Sequence, residues 1–204
     1  MFLKKGQLSI LVTIVFLVLF FSLLSFKREN YEFLMYLGVI ILLVIVFVFT
    51  SKKLDLSNCV LWGMVLWAFM HMSGGLIFIN GQRLYTIVLL EIFKIGEEVF
   101  FRYDHLVHIV GFGVATWLLY ELIKNSLNEK TSWKVLSLLL VFGGMGVGAL
   151  NELIEFFAVV ILPETGVGGY ENTLLDMVSN TIGAIIAVII INLKKDLSRK
   201  KVKK

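Results

Sequence analysis

Six long apolar stretches set the pattern of the chain, at residues 7–26, 33–50, 57–79, 104–123, 135–162 and 173–193. Each is close to the roughly 20 residues that a helix needs to cross a hydrocarbon core. The pattern predicts an all-α fold, a polytopic membrane bundle of six transmembrane helices. The fifth stretch is long for a straight crossing, which implies tilt or an overrun past the interface. Pro163 falls where that helix must stop. Between the third and fourth stretches, residues 84–101 mix apolar side chains with Glu91, Lys94, Glu97 and Glu98. That mixture predicts an amphipathic helix lying in the interface. With no internal repeat or low-complexity tract, the chain reads as one transmembrane domain, 1–193, and a basic tail, 194–204.

Polar residues inside the stretches are few and regularly placed. Asp104, His108, Gly111 and Ala115 follow one another at helical spacing. Asp176, Asn180, Gly183 and Ala187 repeat that spacing, and Glu155, Glu152, Gly148 and Gly144 give it in reverse. Each set lies along one helix face, with acids or amides at one end and small residues at the other. Ionisable groups at membrane depth are costly, so such faces turn inward and mark a site. The small residues let the helices approach closely beneath it. Gly63, Gly74 and Gly75 make the third stretch a fourth wall, whereas the first two stretches read as lipid-facing scaffold.

Composition supports the membrane assignment: 58% of the residues are hydrophobic and 17% are charged. Soluble domains carry about 25% charged residues. The single Cys59 excludes an intrachain disulfide and a cysteine metal cluster, and is expected as a packed thiol. The net charge of +4 gives no reason to expect nucleic acid, because the positive residues gather in the tail. Lys4 and Lys5 precede an apolar run without a small-residue cleavage site, so the first stretch is expected to remain as a helix.

Charge placement also predicts orientation. With both termini cytoplasmic, the inner side holds Lys4, Lys5, Lys52, Lys53, Lys124, Lys130, Lys134 and the basic tail. The outer side holds only Lys27, Arg28, Arg83, Lys94 and Arg102. This is the positive-inside bias of a multi-pass cell-membrane protein, and it favours an even number of spans.

In that orientation four spans bring polar groups to one depth. At about 1.5 Å per residue, His108 lies about 6–8 Å below Asp104 and Asn180 about 11 Å below the outer end of its span. Glu152 and Glu155 fall about 10–15 Å down, and His71 about 12 Å. Glu152, Glu155, His108 and Asp176 are therefore the candidate catalytic residues. His71, Asp104, His105 and Asn180 are expected to line the same cavity. Two carboxylates as close as Glu152 and Glu155 resist ionising together, which suits acid–base work. His71, His108 and one carboxylate also offer ligands for zinc or a similar divalent ion. Structural hydrogen bonding is the third reading of the same histidines. Asn172 and Thr173 are expected to cap the last helix. The Gly166–Tyr170 loop lacks the lysine and preceding strand of a phosphate-binding fingerprint and reads as a hairpin over the site.

The blocks RYDHLVH, NELIEFF and NTLLDMVSNTIGA, within residues 60–190, resemble the YjdF-like family of bacterial inner-membrane proteins. More distantly the pattern is similar to VanZ-like proteins, whose name comes from resistance to glycopeptide antibiotics. The resemblance implies a membrane fold and a place at the cell-envelope surface. It carries over Asp104, His108, Glu152, Glu155, Asp176 and Asn180 as matching polar positions. The expected partners are the lipid bilayer and a lipid or lipid-linked envelope molecule, bound or modified in the cavity. Alternatives are a proton-coupled or small-solute transporter, against which the absence of a repeat counts, and a structural assembly protein.

Overall fold

The computed structural model describes residues 4–50, 54 and 56–202. Lys52, Lys53, Lys203 and Lys204 of the charge balance lie outside the described residues, as do the tail side chains from 196 onward. Among the described residues six α-helices form: α1 (Gln7–Lys27), α2 (Tyr31–Thr50), α3 (Asn58–Leu76), α4 (Tyr103–Ile123), α5 (Trp133–Ile161) and α6 (Tyr170–Val202). Five are long and apolar enough to cross a membrane; α2 has a shorter apolar stretch, Tyr31–Val46, among its described residues. The fold is a polytopic helical bundle, as the apolar pattern predicts. α5 ends at Ile161, just before Pro163. α6 runs on past residue 193, and Lys194 and Lys195 sit over the rings of Trp117 and Trp133.

The segment after α3 corrects the sequence reading. Residues 84–101 form no interfacial helix. A short hairpin comes first, β1 (Phe78–Ile79) against β2 (Gln82–Arg83), then a 3-10 turn at Leu84–Thr86. A second antiparallel hairpin follows, β3 (Val88–Ile95) against β4 (Glu98–Arg102), with a bulge between Val88 and Phe93. Turn chemistry and β-propensity explain the outcome. Asn80 and Gly81 take φ of 50° and 81°, the left-handed pair that a two-residue hairpin turn requires. Gly96, at φ 57°, turns the second hairpin. Val88, Ile92, Phe93 and Ile95 favour an extended chain. Every residue of β3 is exposed, so no buried stripe selects the helical period. Backbone bonds tie the hairpins down, from Leu84 N–H to the Ile77 carbonyl and from Tyr103 N–H to the Ile87 carbonyl, both 2.9 Å.

Glycines set the helix spacing beneath this end. A Cβ on Gly183 would strike the Ile109 carbonyl oxygen and lie 2.9 Å from the Gly113 nitrogen, so α4 and α6 touch backbone to backbone. Gly144 backs onto Thr116 and Ala184, and Gly148 onto Asn180, which brings α5 against both. Gly63 meets Val114 and Gly111 meets the Trp67 ring, which closes α3 onto α4. Small-residue faces permit this close approach.

Two further expectations change. α2 is not merely scaffold: Glu32, Phe33 and Tyr36 are buried and face the bundle interior. Gly75 leaves room for the Phe33 ring. Cys59 is exposed rather than packed.

Glycine contacts give the first prediction. Gly183→Ala is expected to destabilise the protein by about 1–3 kcal/mol through overpacking against α4 backbone. Gly146→Ala, with nothing within 4 Å of the added carbon, is expected to be neutral or to gain up to about 1 kcal/mol in helix propensity. Unfolding of both variants in detergent measures the difference; equal stability would show that α4 and α6 do not pack as described.

Candidate functional site

His108 stands where α4, α5 and α6 meet. Its Nδ1 lies 2.9 Å from Asn180 Oδ1 on α6. Asn180 Nδ2 faces Met177 Sδ at 4.0 Å, which leaves the amide oxygen for the histidine. An amide oxygen only accepts, so the imidazole donates from Nδ1, and Nε2 is the ring nitrogen left to face other groups. Nε2 faces two carboxylate oxygens, Asp104 Oδ1 at 3.6 Å and Asp176 Oδ1 at 3.9 Å. On the Nδ1 side Glu152 Oε1 approaches to 3.8 Å. Asp176 is held through Oδ2, which accepts from Asn172 Nδ2 at 2.9 Å, and Glu155 Oε1 accepts from Asn151 Nδ2 at 2.8 Å. Asp176 Oδ1 and Glu152 Oε1 are buried with no hydrogen-bond partner.

Beside this cluster, at the hairpin end, lies a cleft of about 180 Å³. Asp104 and Glu155 belong to both the cleft and the cluster. Arg83, Glu98 and Arg102 come from the hairpins and Glu32 from α2. Arg102 pairs with Glu98. Glu32 Oε2 accepts from Gly166 N–H at 2.7 Å, which ties the α5–α6 loop to α2. A shallower hollow of about 380 Å³ adjoins it between residues 28–32 and 162–165, sharing Glu32 and Arg83.

His71 forms the aromatic wall of the cleft. Its ring stacks on Trp67 at 5.4 Å and meets Tyr36 edge-on at 5.3 Å. The Tyr85 hydroxyl donates to the His71 carbonyl at 2.9 Å and lies 2.7 Å from Nδ1, so Nδ1 carries the proton of that contact. Burial holds the Tyr85 hydroxyl well above its ordinary pKa, and the Asp104 and Glu155 carboxylates add to the shift. Tyr85 is therefore a neutral donor over the physiological range.

Of the residues singled out in the sequence, Asp104, His108, Glu152, Glu155, Asp176 and Asn180 come together. His71 lines the adjoining cleft and belongs to neither of the metal-competent groups among the described residues, Asp104–His108–Asp176 and His108–Glu152–Glu155. His105 is displaced from the expected cavity wall. Its Nδ1 accepts from the Arg102 backbone N–H at 2.9 Å, its ring packs on Phe100, and it is fully buried behind Asp176. Asn172 is not a cap, because α6 begins at Tyr170; it holds Asp176 instead. Sequence reasoning missed Glu32, Tyr36, Arg83, Tyr85 and Asn151. Arg83 and Tyr85 follow the Asn80–Gly81 turn, which was the available signal for a hairpin that carries them to the site.

The chain belongs to the family described as predicted membrane protein (DUF2238), whose model matches residues 8–196. No curated protein and no solved structure matches the chain.

Asn180→Ala removes the partner of a buried imidazole N–H and is expected to cost about 1–3 kcal/mol. Thr181→Ala, which loses only a bond to the helix's own Met177 carbonyl, is expected to stay within about 0.5 kcal/mol of wild type. Chemical unfolding in mixed micelles measures both, and an Asn180→Ala protein as stable as wild type would contradict the assigned bond.

Proposed function

We propose that this member of the family binds the polar head of an amphiphile, a membrane lipid or a lipid-linked envelope molecule, in the cleft at its hairpin end. One observation carries the reading: Asp104 and Glu155 line the cleft and also reach the buried cluster around His108. A head group seated there meets groups able to exchange protons. Glu155 and Glu152 then serve as acid and base, with His108 and Asp176 polarising the bound group.

The cleft chemistry supports an anionic head. Arg83 presents a guanidinium group, which suits phosphate and carboxylate, and Arg102, paired with Glu98, lines the same cleft. Glu32 and Glu98 share the lining and limit the excess of positive charge. The surroundings suit an apolar tail, since Phe78, Ile79, Leu90 and Ile92 of the hairpins are exposed. The charge bias of the loops puts the hairpin end outside and both termini in the cytoplasm. The resemblance to VanZ-like proteins points to the same envelope surface.

A binding assay tests this directly. Purified protein is titrated with phosphatidylglycerol, phosphatidylethanolamine and a polyprenyl phosphate while thermal unfolding is followed. A bound lipid at about 100 times its Kd adds about 2.7 kcal/mol, which for this chain length is a rise on the order of 5 °C. Arg83→Gln with Glu155→Gln is expected to abolish the rise. No stabilisation by any of the three, or equal stabilisation of the double variant, would contradict the proposal.

A further inference from the structure

We propose that Asp104, His108 and Asp176 hold one first-row divalent cation, with zinc the best match. The inference starts from the direction of one hydrogen bond. Because His108 donates from Nδ1 to Asn180 at 2.9 Å, its Nε2 is the nitrogen that faces the space where Asp104 and Asp176 converge. One ligand atom from each of the three residues then faces the others, all within 4.8 Å. The gaps of 3.6 and 3.9 Å are too long for hydrogen bonds of charged groups, which run about 2.7–2.9 Å. They are close to the separation of about 3.3–3.6 Å between ligand atoms of a tetrahedral ion with bonds of about 2.0–2.2 Å.

Asp176 supplies an independent sign. Its side chain is 2% exposed, and Oδ1 has no hydrogen-bond partner. Yet the carboxylate is anchored through Oδ2 to Asn172, which aims Oδ1 at Nε2 of His108. A buried carboxylate oxygen without a donor is costly unless a cation meets it. Arg102, which precedes α4, is already paired with Glu98. His105 supports the site from behind. Its Nδ1 accepts from Arg102 N–H, so Nε2 carries the proton and points it at Asp176 Oδ1 from 3.9 Å. Outer donors of this kind orient metal ligands.

The same bond rules out the second grouping. A site on His108, Glu152 and Glu155 needs His108 Nδ1, which Asn180 occupies. One imidazole with two carboxylates suits zinc and leaves a coordination position free. Asp104 lines the cleft, so that position opens toward it. The site rests on these ligand atoms alone and stands whether or not the cleft binds a lipid.

The test uses the full-length protein in detergent, stripped with chelator, loaded with Zn²⁺ or Mn²⁺ and desalted. About one zinc per chain is expected by elemental analysis, with X-ray absorption showing one imidazole nitrogen among oxygen donors. Asp176→Asn and Asp104→Asn are expected to lose the ion. Asn172→Ala is expected to weaken it by roughly 10–100-fold, as loss of an outer-shell partner does. Glu152→Gln and Glu155→Gln are expected to retain it. Wild type that stays metal-free, metal retained by Asp176→Asn, metal lost from Glu152→Gln, or a bound ion without imidazole would each overturn the site. Should an aspartate variant fail to fold, the loaded wild type's absorption spectrum decides. Lipid binding by chelated protein separates a failure here from a failure of the amphiphile reading.

Discussion

Polar groups that sit among apolar helices have no water to turn to, and this constraint organises the whole bundle. His108 answers it with one ring nitrogen on Asn180 and the other facing two aspartates. Asp176 is itself held by Asn172, and Glu155 across the way by Asn151. Amides recur beside the acids because an amide can donate to a carboxylate or accept from an imidazole at little desolvation cost relative to a charge. The helices are thereby fixed in rotation as well as position, since turning α4 by one residue would take His108 out of the interior.

Such a cluster forms only where backbones come close enough for short side chains to meet. Gly113 and Gly183 provide that between α4 and α6, and Gly144 and Gly148 provide it for α5. At the opposite end a different device locks α3 to α4. Glu121 accepts from the Ser57 backbone N–H at 2.6 Å and from its hydroxyl, placing a carboxylate at the start of α3. A negative group there is favoured by the helix dipole. Toward the hairpin end Gly74 and Gly75 of α3 make room for the Tyr85 and Phe33 rings that line the cleft.

Much of this was legible in the sequence because the membrane leaves few choices. The six apolar stretches match the six helices, and the three polar stripes turn toward one another as their cost in lipid requires. The rest was hidden for identifiable reasons. Residues 84–101 are apolar and polar in an order that fits a helical face, and only the turn signals of Asn80–Gly81 and Gly96 betray the hairpins. The third apolar stretch extends to residue 79 because β1 is as apolar as the helix it follows. Glu32 lies at the very start of α2, where an acid reads as interfacial, so its inward turn toward Gly166 was invisible. His105 differs from His108 only in helical phase. Its burial behind Asp176 depends on Phe100 and Arg102 of β4, which the helical reading of that segment had placed elsewhere.

Interhelical coupling is the most direct measure of the central claim that separate stretches of chain converge on His108. A double-mutant cycle of His108→Gln on α4 and Asp176→Asn on α6, read by reversible unfolding in mixed micelles with chelator present, isolates it. Residues in direct contact couple by about 0.5–3 kcal/mol, and a value near 1 kcal/mol or above is expected here. Losses that add to within about 0.3–0.5 kcal/mol would mean that the two side chains do not share a site, and the account of the chamber would fail with them.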